Sequence, residues 1–262
     1  MNKQDIINKI IFGDCLDILP EVPNNCFDLI IIDLPYNISQ KRVFTRKECK
    51  DLSLNFGDWD FFSDDQFIAF LFSLLENCNR LLKDSGTLYI FIPDKYLSYA
   101  RFYCEEKLNM FYKTTIVRYK PNPPPRFLKK SFCFSTEFCI CVQKEKEKSI
   151  FNFLGQNKMH NLFKHPIVSG KERLDHPTQK PEKLIKWFIE ISSNENDLVG
   201  DFFLGSGTTS VVAKKLRRKY FGIEIEPKYY EIARNRIESI NVYQNITNFT
   251  KKPKQKELTQ FI

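Results

Sequence analysis

Apolar and polar positions along this chain fall into blocks whose period switches between that of a strand and that of a helix. A short apolar run at 10–12 leads into Gly13-Asp14, and residues 27–32 form a continuous apolar stretch broken only by Asp28. A run of strand length without alternation suits a strand covered on both faces, as in a parallel sheet. Residues 63–83 follow a helical period, with Ser63 placed as a cap and two aspartates in the first turn. Further along, 87–92 predicts a strand, 93–108 a helix and 111–119 another strand.

From Arg118 the pattern stops. The segment RYKPNPPPRFLKK (118–130) holds five basic residues, four prolines and no acid, which is the composition of a loop and not of a sheet element. A strand is expected near 137–143, then a polar, irregular stretch to about Arg173. The closing block reads as helix (182–192), strand (198–203), glycine turn, helix (208–217), strand (220–225) and helix (228–239). Helix and strand taking turns predicts an α/β domain with a mostly parallel sheet flanked by helices. It is expected to span residues 1–240, with 241–262 as a basic, polar tail.

Composition narrows the class. At 262 residues, 42% hydrophobic and 27% charged, the chain can bury a full core and is neither disordered nor fibrous. No stretch approaches the roughly 18 apolar residues of a membrane span. The start, MNKQDIINKIIFGD, carries Asp5 and lacks a long apolar run before a cleavage site, so no secretory signal is expected and the cytoplasm is the default. Forty basic against thirty-two acidic residues give a net charge of +8, which favours polyanionic partners. The eight cysteines form no C-x-x-C pair and read as reduced thiols. Cys133, Cys139 and Cys141 with His160 are a conceivable metal set, but Cys139 and Cys141 alternate along an apparent strand, and no metal is expected.

Two turns carry candidate chemistry. The segment DFFLGSGTT (201–209) lies between a buried-type strand and an amphipathic helix, where an open α/β sheet binds ligands. Gly205 and Gly207 allow close backbone approach, and the helix start offers free N–H groups. Glu224 ends the next strand, where a carboxylate can accept both hydroxyls of a ribose. An ordinary strand-to-helix turn with a surface glutamate fits the same residues. No Gly-Lys-Ser/Thr follows, so phosphate transfer has no obvious lysine. The second turn closes the 27–33 run with Asp33, Leu34, Pro35 and Tyr36. An exocyclic amine on a nucleobase is a poor nucleophile unless it is held in line with its hydrogens drawn towards acceptors. Asp33 and the Leu34 carbonyl can be those acceptors, and Tyr36 can stack on a base rotated out of the duplex. A strand terminus with a structural proline reads the same way.

Together, DLPY (33–36), HPTQKP (176–181), DFFLGSGTT (201–209) and FGIE (221–224) resemble the motif set of the β-class amino-methyltransferases of DNA. The order is that of the class, with the catalytic turn ahead of the cofactor turn and target recognition between them, and the likeness covers roughly residues 9–239. The adenine-methylating members of bacterial type II restriction–modification systems are most similar, through NISQKRVF (37–44), FGDWD (56–60), the Pro-rich loop and IVSGKERLDHPTQK (167–180). The resemblance implies a Rossmann-like fold that uses S-adenosylmethionine, with inserted recognition segments at about 37–60 and 120–170. It implies a site-specific enzyme that moves a methyl group to the N6 amine of a flipped-out adenine. It assigns the catalytic turn to Asp33, Leu34, Pro35 and Tyr36. Phe203, Gly205, Ser206, Gly207 and Thr208 would cradle the methionine part of the cofactor, with Asp201 beside them and Glu224 on its ribose. His176, Thr178 and Lys180 would close over it, and Asp14 with Cys15 would contact its adenine.

Two positions depart from the family pattern. Leu34 and Phe202 stand where proline is usual after the two aspartates. Leu34 keeps the carbonyl acceptor but frees φ and adds an N–H that needs a partner. Cytosine-N4 methylation is the alternative within the class, and a catalytically weak DNA-binding specificity partner is the alternative outside it. For double-stranded DNA, Lys41, Arg42, Lys120, Asn122, Arg126, Lys129 and Lys130 are the expected contacts, cations for phosphates and amide or guanidinium groups for base edges. A homodimer and a cognate restriction endonuclease are partners the family brings to mind.

Overall fold

The computed structural model describes residues 1–34, 63–125 and 132–240. It opens with helix α1 (Lys3–Ile6), strand β1 (Lys9–Phe12) and helix α2 (Cys15–Ile18), the last capped by Asp14, which accepts the Leu16 N–H. The apolar run at 27–32 is the buried strand β2 (Phe27–Asp33). Helix α3 (Asp64–Leu81) starts in a capping box, Ser63 and Gln66 each accepting the other's backbone N–H. Strand β3 (Leu82–Ile92) begins at Leu82 instead of Thr87. The helix expected over 93–108 is broken into a 3-10 turn, α4 (Leu97–Phe102) and a π turn over Tyr103–Lys107.

Strand β4 (Phe111–Tyr119) pairs with β5 (Thr136–Gln143), and here the loop expectation needs correcting. Arg118 and Tyr119 are ladder residues opposite Glu137 and Thr136, and Arg118 is 3% exposed. A basic residue is tolerated inside the sheet because Glu137 meets its charge. Strand β6 (Leu162–Lys164) was not expected, since three residues without an apolar run give no periodic signal; it continues the sheet along the end of β4. The closing block, α5 (Glu182–Ser192), β7 (Leu198–Asp201), α6 (Thr208–Lys215), β8 (Lys219–Glu224) and α7 (Pro227–Glu238), follows the sequence reading, with β7 and α6 ending two residues earlier and β8 and α7 starting one residue earlier.

The strands form one sheet in the order β1-β8-β7-β2-β3-β5-β4-β6, parallel from β1 through β3, with β5 antiparallel to both of its neighbours. From β2 the chain builds to one side through β3, and after α5 it builds to the other through β7 and β8. The switch point therefore falls between β2 and β7, where crevices open beyond the carboxyl ends of the strands. Alternation decides what faces that crevice. Leu29 and Ile31 of β2 and Val199 of β7 pack under α5 and α6, whereas Ile30 and Ile32 pack on the α3 side. Counting on by twos, Asp33 and Asp201 lie on the α5 face. Helix α5 is anchored there by buried Leu184, Ile185, Phe188 and Ile189, each contributing roughly 1.5–3 kcal/mol. The Phe188 ring stacks on Tyr89 at 4.1 Å, and Tyr89 hydrogen-bonds Ser192 at 2.8 Å. That anchoring fixes where α5 begins, and so where the residues just before it sit. No described helix is long and apolar enough to cross a membrane.

Candidate active site

Three adjacent strands, β8, β7 and β2, each deliver a carboxylate at the carboxyl end: Glu224, Asp201 and Asp33. Glu224 braces the glycine turn, its oxygens accepting the N–H groups of Gly205 at 2.6 Å and Glu226 at 2.8 Å. Burial raises its pKa despite those donors. Asp201 accepts the Phe203 N–H at 3.1 Å. Its burial, with the charges of Asp33 and Glu224 adding to it, pushes its carboxyl up to about 7 against the lowering hydrogen bond from Thr209. A buried acidic corner of this kind favours a cation.

Above it lies the segment before α5. Gln179 folds the segment back on itself, accepting from Leu174 N–H at 2.9 Å and donating to the Glu172 carbonyl at 2.8 Å. Glu172 in turn accepts the Glu182 N–H at the start of α5, at 2.8 Å. This places the Lys180 ammonium in a hydrogen-bonded ion pair with Asp33, 4.8 Å from the centre of the Phe91 ring. The His176 ring covers Gly205 so closely that a Cβ there would meet Nε2 at 2.8 Å, and Gly205 also takes φ +52°, which suits glycine. Edge contact with Tyr229 holds the other side of the ring. Burial, then the charges of Lys180 and Arg173, push His176 down to about 4, so the ring is neutral at pH 7. Its Nδ1 is buried with no hydrogen-bond partner among the described residues, which marks a place for a polar ligand.

Asp33, Lys180, Asp201 and Phe203 line one solvent-connected cavity, which encloses about 40 Å³ of water-accessible space and opens into solvent. Gly205, Ser206, Thr208, His176 and Thr178 complete its wall. Positions 33 and 205, remote in sequence, thus share one concavity.

A family model described as DNA methylase, for N6 and N4 methyltransferases, matches residues 27–235. The chain belongs to the N6/N4 DNA methylase family. It is similar to the type II methyltransferase M.HinfI of Haemophilus influenzae, 34% identical over 93% of this chain and 72% of that one. It is also 35% identical to the type II methyltransferase M.HpaI of Haemophilus parainfluenzae, over 88% of this chain and 74% of the relative. Among solved structures, the M1.HpyAVI complex with S-adenosylmethionine matches with a TM-score of 0.66 at 27% identity, covering 87% of this chain and 98% of that one. The cytosine-N4-specific PvuII DNA methyltransferase matches with a TM-score of 0.70 at 18% identity over 91% and 90% of the two chains, a likeness of fold.

Within this methylase fold, several anticipated residues also have partners of their own. Cys15 turns its thiol into the core, where burial pushes it up to about 12, leaving only its backbone for a ligand. Asp14 caps α2 beside Glu224, because the Gly13 N–H donates to the Glu224 carbonyl at 2.9 Å. Neither borders the cavity. Gly207 is required by packing: a Cβ there would come within 2.9 Å of Ala233 on α7. The Lys120 ammonium pairs with Glu137 at 2.9 Å, and the Asn122 side-chain oxygen accepts the Ile167 N–H at 2.9 Å. Pro35, Tyr36, Lys41, Arg42, Arg126, Lys129 and Lys130 lie outside the described residues.

The two departures from the family pattern are absorbed. The Leu34 N–H donates to the Phe91 carbonyl at 3.2 Å, extending the β2–β3 ladder, and its side chain is buried in the core. Phe202 packs edge-on against Phe27 at 5.6 Å. Sequence reasoning missed Arg236, whose guanidinium holds the glycine turn through the Ser206 carbonyl at 3.1 Å and Thr208 Oγ1 at 3.0 Å while pairing with Glu182 at 2.7 Å. Its signal was available: Tyr229, Ala233 and Arg236 fall on one face of α7 at helical spacing.

Proposed function

We propose that this chain is the modification methyltransferase of a type II restriction–modification system, transferring a methyl group from S-adenosylmethionine to the N6 amine of an extruded adenine in double-stranded DNA. The observation that carries the reading is the ion-paired Asp33, presented at the switch point on the same cavity as the Gly205 turn. The cavity suits the cofactor. Its acidic corner matches a sulfonium and an ammonium, Glu224 retains acceptor capacity for ribose hydroxyls, and the unpartnered His176 nitrogen awaits a polar group. When bound, S-adenosylmethionine supplies a methyl group on a positively charged sulfur, which leaves as a neutral thioether.

The chain's own work is to prepare the amine. Asp33 accepts one hydrogen of the substrate NH2 and the Leu34 carbonyl the other, so lone-pair density is returned to nitrogen for in-line attack. Lys180 keeps Asp33 in its acceptor-only, ionised form. No covalent enzyme intermediate is needed, and the amine proton passes to solvent. The backbone partner found for the Leu34 N–H supports a competent turn over a catalytically inert specificity partner. An aspartate at the head of the turn, where cytosine-modifying members resemble one another through serine, supports adenine.

The deciding experiment incubates the protein with mixed-sequence duplex DNA and methyl-labelled S-adenosylmethionine, then digests to nucleosides. Label is expected on N6-methyladenine, and label on N4-methylcytosine would refute the adenine assignment. Asp33→Asn should lower transfer by at least about a thousandfold with cofactor affinity within a few-fold of wild type. A variant that still methylates would remove Asp33 from the chemistry.

A further inference from the structure

Glu137 lies on β5, separated from β2 by β3, and its alternation with Cys139 and Cys141 puts it on the α5 face of the sheet, the face that carries Asp33. It does not border the cavity, yet three cations converge on it. Arg118 of β4 donates to Oε2 at 2.7 Å and Lys120, just after β4, to Oε1 at 2.9 Å, while Lys180 stands 3.8 Å from Oε2 and hydrogen-bonds Asp33 on its other side. The result is a chain of alternating charge, Arg118 and Lys120 to Glu137 to Lys180 to Asp33, running from the base of the Pro-rich segment to the catalytic acceptor.

We propose that Glu137 is a positioning residue that sets the acceptor strength of Asp33 by sharing Lys180 with it. This rests on the transferase reading above. With Glu137 in place, the positive charge of Lys180 is divided between two carboxylates, and Arg118 and Lys120 are neutralised before their field reaches Asp33. Without it, the charges of Arg118, Lys120 and Lys180 act on Asp33 with no carboxylate between them. They compete with the substrate amine for its lone pairs. The same cations hold the Glu137 carboxyl down at about 2 despite burial that would raise it, so the charge that does the sharing is present throughout the working range of pH.

Three other groups act on this corner. Asp201 faces Asp33 from β7, the Cys139 thiol from β5, and His176 faces Lys180 from the loop before α5. Since Asp33 and Asp201 are coupled, the acid limb of the rate belongs to the pair. Removing a nearby negative charge lowers the midpoint of that limb, and removing a positive charge raises it, whichever carboxylate dominates.

The test measures single-turnover methyl transfer to duplex DNA from pH 5 to 9, alongside S-adenosylmethionine affinity and thermal unfolding, on the full chain. Glu137→Gln is expected to lower the plateau rate about tenfold and to move the midpoint down by about one pH unit, with cofactor affinity within about twofold. Glu137→Asp, which keeps the charge, should restore the midpoint, and Lys120→Met should move it up. A lowered rate with an unmoved midpoint in Glu137→Gln, or midpoints moving in the same direction in Glu137→Gln and Lys120→Met, overturns the proposal. Should Glu137→Gln not fold, Lys120→Met decides alone: a rise supports sharing and no change refutes it. A wild-type chain that labels no DNA base defeats the transferase reading, and the inference with it. That result is distinct from an active wild type whose variants keep its midpoint.

Discussion

Replacing Asp201 with asparagine should make the ligand-free protein more stable, and increasingly so as pH rises. Asp201 is buried at the end of β7, and its carboxyl is raised from 3.8 to about 7, by burial first and then by Asp33 and Glu224. A raised carboxyl contributes stability that is fully present below the unfolded value and lost as pH climbs through the folded one. From these two values the ionised form costs the fold about 0.6 kcal/mol at pH 4, about 3 at pH 6 and about 4 at pH 8, relative to a group that stays neutral. Asparagine stays neutral and can still accept the Phe203 N–H, while the Thr209 hydroxyl can turn from donor to acceptor. For a chain of this length, about 3–4 kcal/mol corresponds to a rise in Tm of about 6–12 °C at pH 8, shrinking to about 1–2 °C at pH 4. Thermal scans of both proteins across that range give the answer directly. Binding of S-adenosylmethionine should move oppositely, weakening at pH 8 because the cation loses a carboxylate. An Asp201→Asn protein no more stable at pH 8 than wild type would refute the idea that this acidic corner is strained until a cation fills it.

Two further perturbations probe the frame around the cofactor turn. Arg236→Met removes the hydrogen bonds to Ser206 and Thr208 and the pair with Glu182, so it should cost about 1–3 kcal/mol in urea unfolding and raise the KM for S-adenosylmethionine more than it lowers kcat. Equal losses in both constants would count against a role in holding the turn. His176, depressed from 6.5 to about 4 chiefly by burial, contributes stability present above pH 6.5 and lost as pH falls through about 4. A His176→Leu protein should therefore resist acid unfolding, by up to about 3 kcal/mol below pH 4, and an unchanged acid midpoint would show that the ring is open to protons in the folded state.

Much of this architecture was legible because the parallel strands are buried on both faces and announce themselves as unbroken apolar runs, as at 27–32. The same logic explains the failures. Arg118 looked like the start of a loop because a lone basic residue carries no sign of whether a carboxylate waits across the ladder, and Glu137 lies nineteen positions further on. Strand β6 has only three residues, too few for any period to register. At Gly207 the sequence shows only that a side chain is unwelcome, not which surface excludes it. The structure shows that the unwelcoming surface is Ala233 of α7. The site divided along the same line. Residues inside contiguous motifs, such as Asp33, Lys180 and Gly205, could be named from the chain, whereas Arg236 and Glu137 act from elements outside every motif.

The departures at 34 and 202 sharpen that distinction. Proline at a turn does two separable things: it restricts φ, and it removes an N–H that would otherwise need a partner. Leucine at 34 forgoes the first but leaves no orphan, since its N–H continues the ladder to Phe91 and its side chain is buried against the α3 side of the sheet. Restriction of φ is then supplied by packing and by pairing to β3, contacts the local sequence cannot display. Beside the second aspartate, Phe202 packs its ring edge-on against Phe27 in the core. A motif is thus better read as a set of physical requirements than as a set of letters. At Leu34, the requirements are met from the strand beside the turn and the core beneath it.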